Sequence, residues 1–497
     1  MDRLTLLKQL SFGARVAEEE TADLASYFVE TDQWTRIFRG EIDIIRGEKG
    51  AGKSAIYALL VTKTNEFFDK NILLVTAEKP RGTPVFKELI PDPPTEEFEF
   101  VGLWKLYILT LIAQTMREFG ILGQAAQTVI SKLEEQGLLE RVFDFNTVLR
   151  LVRDYVRNWL KPELEGGITL DPHSGIAKGV SLKIRPSEPS AAQRSEGFIS
   201  VDNLIRAANT ALHQAGFQVW VLLDRLDVAF AETHALERNA LRALFRVYRD
   251  IGEYEQIKLK IFLRSDIWKK TTETGFREAS HITRFAVLDW SPPSLLNLVV
   301  RRLLKNRVLV DEFSIDRDAV LRDFKAQSAL FFRLFPQQVE QGSRKPGTFD
   351  WMISRCADGT GKTAPRELIH LLTSLQEQQI ASIERGEGVP EGDQLFDRSV
   401  FKTALPVVSE ARLTQTLIAE YPDFEPLIMK LSAEKTEQTS DSLALLWRLT
   451  PEEAVKWAQR LIEVGFFEAR GSKDKPTFWV PFLYRDALNM SQGFAEE

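Results

Sequence analysis

The sequence predicts an α/β protein: a parallel sheet clothed in helices, then a helical segment, then a small C-terminal domain with a β-hairpin. Three observations carry this. Short, nearly continuous apolar runs, "NILLVTA" (71–77), "QVWVLLD" (218–224) and "LKIFLRS" (259–265), alternate with stretches of helical period. That is the pattern of parallel strands buried on both faces. From "SPPSLLNLVVRRLLKN" at Ser291 to about 388 the text is helical. The end of the chain, "PEEAVKWAQRLIEVGFFEARGSKDKPTFWVPFLYRDAL", reads as a helix, a strand, a turn at "GSKDKP" and a second strand of alternating apolar residues. Helix plus hairpin is the pattern of a winged helix.

Bulk properties bound the answer. The chain has 497 residues, enough for two to four domains. Its 44% hydrophobic and 27% charged residues are ordinary globular values. A net charge of −7 argues against a dedicated nucleic-acid binder and leaves such work to a local patch. The single cysteine, Cys356, has no internal partner, which fits a reducing cytoplasm. No apolar run reaches the ~20 residues that span a bilayer, so no membrane partner is expected. The five histidines are scattered and show no metal-ligand spacing.

Along the chain, residues 1–38 form a helical N-terminal segment, with "VAEEETADLASYFVET" amphipathic. The core runs over 39–290, with an insertion at about 81–200. Its first strand is "EIDIIRG" (41–47), and a helix starts near Lys53. Residues 81–97 are a Pro-rich loop, and 101–160 are largely helical. The Gly-, Ser- and Pro-rich stretch 161–198 reads as an inserted hairpin or a mobile loop. A helix at "SVDNLIRAANTALHQAG" stops at Gly216. Another lies near 234–251, and "RFAVLDW" (284–290) is the last strand. A helical lid covers 291–390, a linker follows, and the winged-helix domain covers 395–497.

The segment "GEKGAGKS" matches G-x-x-x-x-G-K-[ST] and comprises Gly47, Glu48, Lys49, Gly50, Ala51, Gly52, Lys53 and Ser54, with Ala55 next. Glycines let the backbone fold tightly and point its N–H groups at phosphate. The following helix adds its positive N-terminal end. Lys53 would reach the β and γ phosphates of ATP, and Ser54 would hold Mg²⁺. "DGTGKTAPRE" (358–367) also contains G-K-T, but Cys356 stands where the first glycine belongs and no buried strand precedes it. It is not a second phosphate loop.

Asp224 ends the run "VWVLL", where a ligand for magnesium-bound water belongs. Fast ATPases often place a second acid immediately after. Here Arg225 follows, and the next acid is Asp227, readable either as a displaced water-orienting base or as a loop acid. "KIFLRSDIW" ends its strand with Arg264 and Ser265, either a γ-phosphate contact or polar residues leaving a buried strand. Arg277 and Arg284 flank "EASHIT". In a ring, one of them would enter a neighbour's site; the bland reading is a solvated arginine. Pro365 and Arg366 start a helix in "TAPRELIHLL".

The order of phosphate loop, "VLLDRLD", "FLRSD", last strand, helical segment with "APRE" and winged helix is similar to AAA+ and STAND ATPases, especially the origin-recognition type. More narrowly, "SFGARVAEEETADLASYFVETDQWTRIFRGEIDIIRGEKGAGKSAIYALL" resembles the bacterial P-loop ATPase group called Sll-type. The resemblance implies an ATP-switched homo-oligomer, with Arg366 as the lid arginine and Arg264 or Ser265 as the polar strand-end residue. Two features depart from it: the insertion at 81–200, and Arg225 in place of the usual glutamate. A misplaced general base costs about 10²–10⁴ in rate, so slow hydrolysis is expected.

In the winged helix, the candidate recognition helix opens with Glu452 and Glu453, which would repel DNA, while Arg470, Lys473 and Lys475 on the wing would attract it. DNA is therefore a possible partner but not the favoured one, and a protein effector is at least as well supported. The leading expectation is a nucleotide switch that controls self-assembly or an effector, a role that fits bacterial defence. The alternatives are a DNA-handling ATPase and a nucleotide-bound scaffold without turnover.

Overall fold

The computed structural model describes residues 1–14, 24–77, 97–139, 145–158, 184–185, 188, 190, 198–226, 234–272, 275–472 and 475–495. The chain divides into two compact units. One holds Met1–Thr31, Glu48–Gly52 and Asp289–Glu497; the other holds Asp32–Gly47 and Lys53–Leu288. The chain starts in the former with helix α1 (Arg3–Gln9), whose first turn is capped by the Asp2 carboxylate accepting from the Thr5 N–H.

The sheet unit contains five parallel strands: β1 (Ile44–Gly47), β2 (Ile72–Thr76), β3 (Gln218–Leu223), β4 (Ile257–Arg264) and β5 (Phe285–Leu288). Their order across the sheet is β2-β3-β4-β1-β5. Register is fixed by pairs such as Leu223 with Ile261, and Gly47 with Arg264. β1, which leads into the glycine-rich loop, therefore lies inside the sheet rather than at its edge. Helix α2 (Lys53–Thr62) begins directly after that loop.

The three longest helices of the unit are α3 (Glu97–Glu118), α4 (Val201–Ala215) and α5 (His234–Ile251). α3 is apolar on nearly every side and is correspondingly buried along most of its length. Its polar atoms are matched: Trp104 Nε1 donates to the Ala240 carbonyl at 2.9 Å, and Lys105 bridges Asp202 and Asp250 at 2.8 Å each. α4 ends at Gly216, which adopts φ 74° as the C-terminal stop requires. β4 runs on into helix α6 (Ser265–Thr272).

Much of the insertion, 78–96 and most of 159–197, lies outside the described residues. The hairpin or loop expected at 161–198 falls almost wholly in that part; Ile184–Arg185 pairs in parallel with Ile199–Ser200, just beyond it.

In the other unit, the helical stretch includes α7 (Pro292–Lys305), α8 (Phe324–Leu334), α9 (Thr348–Cys356) and α10 (Pro365–Glu384). α1 packs on α10, where Gln376 Nε2 donates to the Leu7 and Leu10 carbonyls at 2.7 and 2.8 Å. Leu6, Leu7, Phe331, Phe335, Leu368 and Phe401 share one core. Cys356 is fully buried, and burial pushes its thiol pKa up.

Helix α11 (Ser399–Arg412) leads to a winged helix: β6 (Lys435–Thr439), α12 (Ser440–Trp447), α13 (Pro451–Glu463), β7 (Glu468–Ser472) and β8 (Lys475–Trp479). β8 pairs antiparallel with both β6 and β7, and β9 (Ser491–Phe494) adds a parallel strand on β6. The sequence predicts only α13 and the β7–β8 hairpin, because "KTEQT" is too polar to announce a strand. Among the described residues no helix is long and apolar enough to cross a membrane.

Candidate functional site

β1 delivers the backbone to Gly47 at the carboxyl edge of the sheet. Two residues of the loop beyond it have left-handed backbones, Gly50 (φ 80°) and Gly52 (φ 97°), which explains why glycine occupies both positions. Ala51 N–H donates back to the Glu48 carbonyl at 3.2 Å, closing a tight turn. Lys53 Nζ donates to the Gly47 carbonyl at 2.8 Å, so the lysine folds over the loop that precedes it. Lys53, Ser54 and Ala55 open α2 and are half-buried.

The apex of the loop is held by its own unit. A Cβ on Gly50 would stand 3.1 Å from Arg366 Cβ, 3.3 Å from Ala364 Cβ and 3.5 Å from Glu367 Oε2. The loop backbone therefore lies directly on the first turn of α10. Trp290 Nε1 donates to the Ala51 carbonyl at 2.9 Å, and Lys49 is ion-paired with Glu420. Arg366 is half-buried, and its Nε is buried without a hydrogen-bond partner among the described residues. A buried donor of this kind calls for an acceptor.

Asp224 follows β3 and is 5% exposed. β4 separates β3 from β1, so Asp224 and Gly47 leave the same sheet edge roughly 10 Å apart across it. Arg225 has φ 57°, a left-handed conformation that costs a non-glycine residue about 1–2 kcal/mol. Asp227 lies outside the described residues.

Arg264 is level with Gly47 in the register and is gripped by Asp266 through Nε (3.0 Å) and Nη2 (2.8 Å). Ser265 is the first residue of α6. Arg264 thus stands beside the loop as a neutralised pair, which sequence reading had not foreseen.

The two remaining arginines sit elsewhere. Arg277 is exposed on a short 3₁₀ turn, Arg277–His281. Arg284 immediately precedes β5, which places it at the amino edge of the sheet, opposite the loop. Its Nε donates to Asp43 Oδ2 at 2.6 Å and its Nη2 to the Gly40 carbonyl. Of the two readings of Arg284, a finger or a solvated arginine, the structure adds that Asp43 pairs with it at this edge. The signal was available, since a residue just before a parallel strand must lie at the amino edge. Lys260, a lone lysine inside the apolar run "LKIFL", was the other overlooked signal. It is fully buried and pairs with Asp43 at 2.8 Å.

The loop presents two glycines that no Cβ could replace without strain and a lysine over the turn, a backbone and a charge that fit a phosphate group.

No protein-family model and no curated protein sequence matches the chain. Among solved structures it is similar to the Aeropyrum pernix ORC2 protein in its ADPNP–ADP complexes, at 13% identity over 95% of this chain and 91% of that one, with a TM-score of 0.30. It is also similar to the Aeropyrum pernix ORC1 protein in complex with DNA, at 12% identity over 98% and 97% of the two chains, with a TM-score of 0.33. At such scores the fold is read from this chain's own strand order and wing: a parallel-sheet P-loop α/β core with a C-terminal winged helix.

Proposed function

We propose that the chain is an ATP-binding switch and slow ATPase that controls its own assembly or a partner effector. The observation that supports this best is the pairing of a phosphate-loop geometry at Gly47–Ser54 with a buried Asp224 that is followed by a left-handed arginine instead of an acid. Lys53 and the loop N–H groups would hold the phosphates. Ser54 and Asp224 would hold Mg²⁺, which when bound offsets charge on the β and γ oxygens. Arg366, beside the apex, would supply a guanidinium to the γ-phosphate, and Arg264 would do so only by sharing its charge with Asp266. Asp227 remains the candidate for orienting water, and Arg277 the candidate to act on a neighbouring copy. Nothing in that set matches an acid held directly against Asp224, so turnover is slow and bound nucleotide acts through the conformations it favours. Membership of the Sll-type or STAND groups, a cytoplasmic location and a role in bacterial defence belong to the same proposal, on the sequence resemblance alone.

The DNA-handling alternative is not favoured by the wing. Arg470 is tied to Glu468 (2.9 and 3.2 Å) and stacked on Trp479 at 3.8 Å, and Lys473 lies outside the described residues. Glu453, one of the two acids in the first turn of α13, is spent on a capping box with Thr450. Size measurement with and without MgATP, with phosphate release followed on the same sample, tests the proposal. The expected result is an ATP-dependent change in size with turnover well below 1 s⁻¹, roughly the low end of ordinary enzymes. Fast turnover stimulated by DNA in a salt-dependent manner would support the alternative instead.

A further inference from the structure

Resting on the reading of Gly47–Ser54 as a phosphate loop, we infer that Arg412 is a positioning residue for that loop: it neutralises Glu367, the buried acid beside the apex, and so keeps the apex receptive to an anion.

Glu367 is the third residue of α10, after Pro365 and Arg366, and is only 4% exposed. Its Oε1 accepts from Arg412 Nη1 at 3.1 Å. Its Oε2 is buried, has no hydrogen-bond partner among the described residues, and lies 3.5 Å from where a Cβ on Gly50 would stand. A carboxylate so placed repels phosphate oxygens at the apex, and low local dielectric strengthens that repulsion. Arg412 is the cation that offsets it. Other charges at the loop include Glu48, Arg366 and the Lys49–Glu420 pair. Lys49 is already spoken for by Glu420, so it does not replace Arg412 in this role.

Arg412 is itself held by the C-terminal domain. Its Nε donates to Tyr484 Oη at 3.3 Å, and its Nη2 lies 3.8 Å from Asp358 Oδ2. Asp358 opens "DGTGKT", the stretch that imitates a phosphate loop. In the fold this stretch is a tie. Ala357 and Thr363 form an antiparallel bridge, and Gly359 N–H donates to the Gly465 carbonyl, in the turn after α13, at 2.7 Å. A Cβ on Gly359 would stand 2.3 Å from the Phe467 carbonyl oxygen, so only glycine permits the approach. Arg412, on α11, thus links Glu367 to Tyr484 and to the Asp358 turn. Loss of that cation would leave an uncompensated acid at the loop.

Calorimetric titration of the full-length chain with a magnesium complex of a non-hydrolysable ATP analogue tests this. Arg412→Gln is expected to weaken binding at least tenfold, and Glu367→Gln to bind as tightly as wild type or tighter. The double variant is expected within threefold of wild type, because the acid and its counter-charge leave together. A folded Arg412→Gln chain that binds like wild type, or a double variant as weak as Arg412→Gln, would overturn the inference. Should Arg412→Gln not fold, Glu367→Gln decides alone: a tenfold loss there sinks it. If wild type takes up no nucleotide, the phosphate-loop reading fails first. If wild type binds, Lys53→Ala does not, and Arg412→Gln is normal, only the inference fails.

Discussion

The two ends of the five-stranded sheet are built on opposite principles. At the amino edge, charge is buried and satisfied. Lys260 donates to the Ile42 carbonyl at 2.6 Å and Asp43 Oδ1 at 2.8 Å, and lies 4.3 Å over the Trp220 ring. Asp43 also accepts from Arg284 and from Tyr248 Oη at 3.1 Å. At the carboxyl edge, Gly47 opens a loop of left-handed glycines, Arg225 sits in a conformation it does not favour, and Arg264 is half-buried in a local pair. One end is an anchor made of matched partners. The other holds strain, which is common where a ligand binds. Stability and ligand binding should therefore separate cleanly between the two ends.

The largest effect is expected at the loop. Lys53→Ala should weaken ATP binding by about 100-fold or more, the loss of charge-assisted contacts to two phosphates, with the melting temperature nearly unchanged. Binding is read by calorimetry and stability by thermal melts. A comparable fall in both would erase the contrast between the ends.

Next is the anchor. Asp43→Ala leaves Lys260 buried without its carboxylate, a defect of about 3–5 kcal/mol. Urea denaturation should report that loss, while any folded fraction keeps wild-type affinity for nucleotide. A weakened affinity in the folded protein would mean that the anchor also shapes the site.

The pH dependence sharpens the same point. Burial lowers the Lys260 pKa from 10.5 to about 8, with Asp43 opposing the shift. Between about pH 8 and 10.5 the unfolded chain therefore binds more protons at this lysine than the folded one. Stability from this group rises with pH across that window, and the cost of burying its charge is fully present below pH 8. Tyr248 runs the other way: burial, then Asp43, raises its pKa, so above about pH 10 it takes stability away. Asp43 is held below its ordinary value by Lys260 and Arg284 against the effect of burial, so stability also falls as pH drops below the usual carboxylate range. Comparing wild type with Lys260→Met isolates the lysine. The rise from pH 8 toward 10 should be present in wild type and absent in the variant.

The smallest expected effect is a gain. Arg225→Gly should relieve the left-handed backbone and stabilise the chain by about 1 kcal/mol, less the added entropy of an unfolded glycine, without lowering nucleotide affinity. A clear loss of affinity would assign the arginine a contact with the ligand.

Much of this was legible in the sequence, for physical reasons. The parallel strands announce themselves as apolar runs because both faces are covered, and the loop announces itself because only glycine tolerates its backbone. The order of strands was not legible, since register depends on long-range pairing. The place of Arg284 is legible only once strand direction is considered, since closeness to a strand says nothing of which edge a residue serves. The partnership of Asp43 with Lys260 joins residues far apart in sequence. β6 and α12 were missed because a polar strand in a small domain lacks the alternation that marks a half-buried one. A lid role for Arg366 is implied only by resemblance; its close approach to Gly50 is visible only in the fold.

The most direct test of the central claim is calorimetric titration of wild type and Asp224→Asn with ATP, each with and without Mg²⁺. The account predicts one site per chain, bound more tightly with Mg²⁺ in wild type, and a magnesium enhancement lost in Asp224→Asn. Absence of uptake of ATP or GTP by wild type, or an undiminished magnesium effect in the variant, would contradict it.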